Sequence, residues 1–208
     1  MNTTCLQVQH ASVERAGRQL FAPVSFELQA SQAMHLQGDN GSGKTSLLRG
    51  LCGLSPLSQG QVLWDGQPVQ EVREGFLRDV FYLGHALGLK DELSALENLQ
   101  TTAAMAGQVL HLQEAEQALA AQGMSNRMHL PLRVLSQGQK RRVALARLQV
   151  SKARLWLLDE PMVALDSAAQ HTLIDLLRAH TAQGGMLLFT SHQALDVGNA
   201  MQVLRLQS

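Results

Sequence analysis

The sequence predicts an α/β fold, with a parallel core sheet covered by helices, a small antiparallel β subdomain near the N-terminus and a helical insertion. Three observations predict it. Apolar runs at Leu155 to Leu158 and Met186 to Phe189 flank an amphipathic stretch from about Ser167 to His180, the strand–helix–strand order of a parallel crossover. A glycine-rich segment, Gly38 to Thr45, stands between a strand-like run and a helix-like one. From about His85 to Lys152 the apolar residues recur at helical rather than alternating spacing.

Taken in order, Cys5 to Val8, Val24 to Leu28 and Met34 to Leu36 mix apolar and polar residues at roughly period two and read as strands. After Gly43, the residues Leu47, Leu48, Leu51 and Leu54 recur at helical spacing, and Gly53 supplies a C-terminal stop. Gln61 to Trp64 reads as a strand closing on an Asp65-Gly66 turn, and Val80 to Leu83 as another. Leu93 to Leu110 carries Leu96, Leu99, Ala103 and Ala106 on one helical face, and Leu112 to Ala121 is rich in strong helix formers. Ser136 is a good N-cap for a helix continuing through Val143, Leu145, Ala146 and Leu148. With no internal repeat or low-complexity linker, residues 1–208 read as one domain with a helical subdomain at about 85–152.

Composition narrows the function. The 17 basic and 17 acidic residues balance, so no global field draws in nucleic acid. The N-terminal residues from Met1 lack the basic and apolar regions of a signal peptide, and no apolar run approaches the ~20 residues of a membrane helix. Cys5 and Cys52 are too few for a disulfide framework or zinc site, which suits a reducing compartment.

The chemistry-bearing residues lie in three places. Gly38-Asp39-Asn40-Gly41-Ser42-Gly43-Lys44-Thr45 satisfies G-x-x-x-x-G-K-[ST] between a strand and a helix that starts with Lys44, Thr45 and Ser46. Such a loop turns backbone N–H groups onto phosphate oxygens at a helix N-terminus. Lys44 then meets the β- and γ-phosphates and the Thr45 hydroxyl ligates Mg²⁺, the arrangement of a P-loop NTPase. Asp159 and Glu160 follow the apolar strand at its carboxyl end, where sites of parallel sheets lie; Asp159 can hold Mg²⁺ and Glu160 can act as general base. Leu135-Ser136-Gln137-Gly138-Gln139 opens a helix with exposed amides, a second anion-binding surface, and Lys140 to Arg142 after it read as a solvated face.

In this order the motifs resemble the nucleotide-binding domain of ABC transporters. The resemblance makes Gly38 to Thr45 the Walker A loop, Leu135 to Gln139 the signature, and Leu155 to Glu160 Walker B with its catalytic glutamate. It makes Ala164-Leu165-Asp166 the D-loop and His192, 32 residues after Glu160, the switch histidine. It implies a head-to-tail homodimer in which Ser136 and Gly138 of one copy close over ATP held by the other. Two positions depart from the pattern: His85 stands at the Q-loop glutamine, and Arg15 replaces the adenine-stacking aromatic, although a guanidinium can also stack on a base.

Leu83 to Leu99, Arg15 to Phe21 and Trp64 to Pro68 are similar to the ATPases of bacterial cytochrome c maturation, the haem exporter subfamily, whose usual Gln-Pro is Ala86-Leu87 here. That similarity implies a peripheral subunit on the cytoplasmic face of the inner membrane, bound to integral membrane subunits of the CcmB and CcmC type. Its ATP turnover would release a haem-loaded periplasmic chaperone. With scattered histidines and no Cys-x-x-Cys-His motif, direct haem binding is not expected. The ATPase of another small exporter for drugs or lipids remains an alternative. A soluble non-transport ABC ATPase is opposed by the short 85–152 region, and a catalytically dead regulator by Lys44, Asp159, Glu160 and His192.

Overall fold

The computed structural model describes residues 5–193, 195–198 and 201–207. The absence of a leader was read partly from Met1 to Thr4, which lie outside those residues. Along the chain run β1 (Cys5–Ser12), β2 (Glu14–Arg15), β3 (Arg18–Gln19), β4 (Val24–Gln29), β5 (Ala33–Gln37), α1 (Lys44–Leu51), β6 (Gln59–Trp64) and β7 (Gln67–Pro68). There follow α2 (Arg73–Asp79), β8 (Val80–Leu83), α3 (Ala95–Met105), α4 (Leu112–Ala121), α5 (Gln137–Val150), β9 (Leu155–Leu158), α6 (Ser167–Ala182), β10 (Met186–Thr190) and β11 (Met201–Arg205). The chain divides into two compact units, one of residues 1–84, 153–161 and 177–208, the other of 85–152 and 162–176.

The first unit holds both larger sheets. Its parallel sheet has the order β11-β5-β10-β9-β8, and an antiparallel sheet has the order β4-β1-β6-β7. Every residue of β9 and β10 is buried, as expected of parallel strands covered on both faces. Leu47, Leu48 and Leu51 of α1 pack with Leu36, Leu155, Leu157, Met186 and Leu188 in one apolar cluster. Each fully buried leucine stabilises the fold by about 1.5–3 kcal/mol. The helix ends earlier than its leucine spacing suggests: Gly53 at φ 71 closes a terminal turn, and Leu54 is 58% exposed. The Asp65-Gly66 turn joins β6 to β7 with both residues at positive φ, the two-residue hairpin geometry its sequence indicates.

The second unit is helical, its core formed by Leu96, Leu99, Ala115, Leu119, Leu132, Val143 and Ala146. Ser94 and Glu97 form a capping box that starts α3, and Asn98 then braces the preceding loop through the carbonyls of Lys90, Leu93 and Ser94. The helix stops at Met105, short of Leu110, because Gly107 at φ 70 turns the chain. The basic run is not a solvated face. Arg141 is buried, Lys140 pairs with Asp91 at 2.7 Å, and Arg142 pairs with Asp166. Among the described residues no helix is long and apolar enough to cross a membrane.

Both cysteines are free and buried, and burial pushes both thiols up, Cys5 to about 12, so neither is a ready nucleophile. At the end of α6, His180 stacks on Trp156 at 3.7 Å, against Gly185, where a Cβ would fall 2.3 Å from the imidazole. Burial holds His180 below its usual 6.5. A base whose folded pKa is depressed contributes stability above its unfolded pKa and loses it on acidification. Stability is therefore expected to fall as pH drops below 6.5. His180→Phe, which keeps the stack, should flatten that part of the profile in chemical denaturation.

Candidate functional site

The first unit gathers one set of candidate residues around a cavity of about 700 Å³, lined by Asn40, Gly41, Gly43 to Ser46, Asp159, Glu160 and His192, with Arg15 also on its wall. The loop is shaped by backbone demands. Gly43 sits at φ 92, and a Cβ there would meet the Phe21 ring at 2.6 Å, so only glycine fits between that ring and the start of α1. Lys44 Nζ donates to the carbonyls of Gly38 at 2.7 Å and Asp39 at 2.9 Å, folding the side chain along the loop. Ser42 Oγ is buried and has no hydrogen-bond partner among the described residues. Such a group in a loop of converging N–H donors suits an incoming anion.

The β9 exit supplies the acids. Asp159 N–H donates to Leu83 O at 2.7 Å, continuing the β8–β9 pairing one residue past the strand. Its Oδ2 accepts from Thr45 Oγ1 at 2.6 Å and its Oδ1 from Thr190 Oγ1 at 2.8 Å. Thr45 and Asp159 thus present hard oxygen ligands side by side, a donor set that fits Mg²⁺. Glu160 occupies φ 49, a left-handed conformation that costs a non-glycine residue of order 1–3 kcal/mol. Glu160 N–H donates to Thr190 Oγ1 at 2.8 Å, and its carboxylate Oε1 lies 3.6 Å from His192 Nε2. His192 is largely exposed, its side chain 64% accessible.

Thr190 is a site residue the sequence reading missed. It is fully buried at the end of β10 and holds both acidic positions at once. A threonine closing an apolar strand carries no distinctive signal; its partners are 30 and 31 residues away. Arg49, one turn along α1, also lines the cavity and was not singled out. Thr190→Val keeps the shape but leaves Asp159 Oδ1 and Glu160 N–H without this partner. We expect it to cost about 1–3 kcal/mol in chemical denaturation, with slower ATP turnover.

The second unit gathers the remaining candidates. Ser136 caps α5, accepting from Gln139 N–H at 3.3 Å, while the Gln139 side chain accepts from Ser136 N–H at 3.0 Å. Leu135 is buried beneath, and Gln137 is exposed in the first turn. Ser136, Gly138 and Gln139 share a cavity of about 320 Å³ with Ala164, Asp166, Arg127 and Arg142. Ala164 has φ 61, Leu165 is half-buried, and Asp166 accepts from Ala169 N–H at 2.9 Å at the start of α6. That hydrogen bond first, and the Arg142 charge next, hold the Asp166 carboxyl below the usual carboxylate range. His85 is exposed just after β8.

Residues 21–163 match the sequence profile of the ABC transporter family. The cytochrome c biogenesis ATP-binding export protein CcmA of Albidiferax ferrireducens is 45% identical over 88% of this chain and 88% of its own length. CcmA of Nitrosospira multiformis is 45% identical over 92% of this chain and 94% of its own length. The ATP-binding cassette MJ0796, solved as a dimer bound to ADP and Pi, superposes with a TM-score of 0.85 at 20% identity, covering 97% of this chain and 94% of the cassette, and so shares the fold. With the profile spanning most of the chain and these relatives spanning nearly all of it, the chain belongs to the ABC transporter family, as a CcmA-like ATPase.

Proposed function

We propose that this chain powers a membrane complex of cytochrome c biogenesis and haem export by hydrolysing ATP. The observation that carries the chemistry is the meeting of Lys44, Thr45, Asp159, Glu160 and His192 around one cavity. The names of the CcmA relatives supply the pathway. Lys44 and the loop N–H groups bind the phosphates, and Arg15, which lines the same cavity, stacks on the base. Thr45 and Asp159 would hold Mg²⁺, which when bound neutralises charge on the β- and γ-phosphates. Glu160 takes a proton from the attacking water, and His192 contacts the γ-phosphate. The whole chain acts as one nucleotide-binding domain, with residues of about 85–152 as its helical subdomain.

Two copies pair head to tail, as the signature residues invite. Ser136, with its hydroxyl hydrogen free of the capping box, and Gly138 then complete the phosphate site of the other copy. The MJ0796 cassette was solved as a dimer, which supports this reading. The pair acts peripherally at the cytoplasmic face of the inner membrane through CcmB- and CcmC-like subunits, and turnover drives release of a haem-loaded chaperone.

Affinity purification of the full chain from native membranes tests the pathway. Recovery of CcmB- and CcmC-like subunits is expected, whereas a drug or lipid permease in their place overturns the assignment. The purified subunit should give no stoichiometric Soret-absorbing complex when titrated with haem.

A further inference from the structure

The strand that enters the phosphate loop carries a buried polar side chain that the ATPase chemistry leaves unexplained. His35 in β5 is 4% exposed and stacks on Phe189 of the neighbouring β10, ring centroids 4.8 Å apart and planes within 8°. The two residues are register partners across the parallel pair. A histidine among apolar core strands needs its ring nitrogens satisfied, and both have partners. Nε2 lies 3.0 Å from the Ser191 carbonyl, and Nδ1 lies 3.1 Å from Gln37 Nε2. Arg205 Nε donates to Gln37 Oε1 at 3.2 Å.

The ends of this chain determine its direction. Arginine can only donate, so the Gln37 carbonyl oxygen faces Arg205 and its amide N–H₂ faces His35. A carbonyl can only accept, so His35 Nε2 carries the proton and donates to Ser191, leaving Nδ1 to accept from Gln37. Every member is used once in a compatible role.

The far end of the chain lies one residue before His192. β10 ends at Thr190, whose side chain holds Asp159 and the Glu160 N–H. Beyond it, the Ser191 carbonyl is held by His35, and Ser191 Oγ accepts from Gln193 N–H at 3.0 Å. His192 sits within that turn, its Nε2 3.6 Å from Glu160 Oε1. Since His192 is exposed, packing does little to aim it; the peptide on its N-terminal side does more.

We infer that His35 is a positioning residue for ATP hydrolysis: by holding the Ser191 carbonyl, it fixes the path of the chain that presents His192 to Glu160. The inference rests on the assignment of His192 to the γ-phosphate. His35 is buried and does not line the cavity of Lys44 and Glu160, so it should act on the chemical step and spare nucleotide binding.

His35→Phe keeps a ring to stack on Phe189 and deletes both hydrogen bonds. In steady-state ATP turnover by the full chain, kcat is expected to fall about tenfold, with the KM for ATP changed less than about twofold. His35→Gln, which can still donate to Ser191 and accept from Gln37, should return kcat to within about threefold of the parent. Adding His35→Phe to His192→Ala should cost nothing further, since one residue acts through the other. Unchanged kcat in His35→Phe, a loss confined to KM, or failure of His35→Gln to rescue overturns the inference. If His192→Ala turns over like the parent, the underlying assignment fails; if it is slow while His35→Phe is not, only the role of His35 fails. Should His35→Phe not fold, His35→Leu, which also removes the bond to the Ser191 carbonyl, carries the same test, with kcat reduced at constant KM expected and unchanged kcat overturning it.

Discussion

Glu160→Gln is expected to reduce ATP turnover by about a hundred- to ten-thousandfold, the range a positioned general base contributes, while nucleotide affinity stays at the parental level. The substitution alters almost nothing else. Glutamine has the shape of glutamate, and the left-handed backbone at this position is held by the N–H donated to Thr190, which does not depend on the side chain. What is lost is the ability to take a proton from water. The carboxylate stands beside His192 and on the wall of the same cavity as Lys44 and Thr45, so a water held there would lie between base and phosphate. The chemical step should then limit turnover, and ATP-bound pairs should accumulate, visible by size-exclusion chromatography with ATP. Parental turnover in this variant would remove Glu160 as the base.

Lys44→Ala is expected to act at the opposite step, weakening ATP binding about ten- to hundredfold, as the loss of charge-assisted hydrogen bonds worth about 1.5–3 kcal/mol implies. In the structure the ammonium already lies over the loop, bound to the carbonyls of Gly38 and Asp39. On the proposed reading, the phosphates arrive at the loop over which this charge already lies. Titration with a fluorescent ATP analogue should show the loss for Lys44→Ala and none for Glu160→Gln. Equal affinities in the two variants would mean that the loop binds phosphate mainly through its N–H groups and helix dipole.

Local signals were legible where one short segment contains the whole cause. The Asp65-Gly66 turn, the N-cap at Ser136 and the loop from Gly38 to Thr45 each depend on residues adjacent in sequence. The run from Lys140 to Arg142 was misread as solvated because its partners, Asp91 and Asp166, are 49 and 24 residues away. Likewise β11 and α2 are short and carry weak periodicity; β11 is an exposed edge strand recognisable only through its pairing with β5. Leucine spacing alone runs to Leu54, but the stop that Gly53 marks in the sequence is the one the structure uses, with that glycine left-handed.

The sequence by itself determined that a phosphate loop, two acids after a buried strand, a capped signature helix and a late histidine occur in the order of an ABC ATPase. The loop and the acids follow from residue type and spacing along one chain; the signature and the histidine follow from the resemblance that the order of the motifs carries. Only the tertiary structure decided how the parts are held. Thr190 ties Asp159 to Glu160, and His35 reaches from the strand before the phosphate loop to the peptide before His192. These links run between strands that are neighbours in the parallel sheet but 30 to 156 residues apart in the chain, a separation at which hydrogen bonding leaves no periodic trace in sequence.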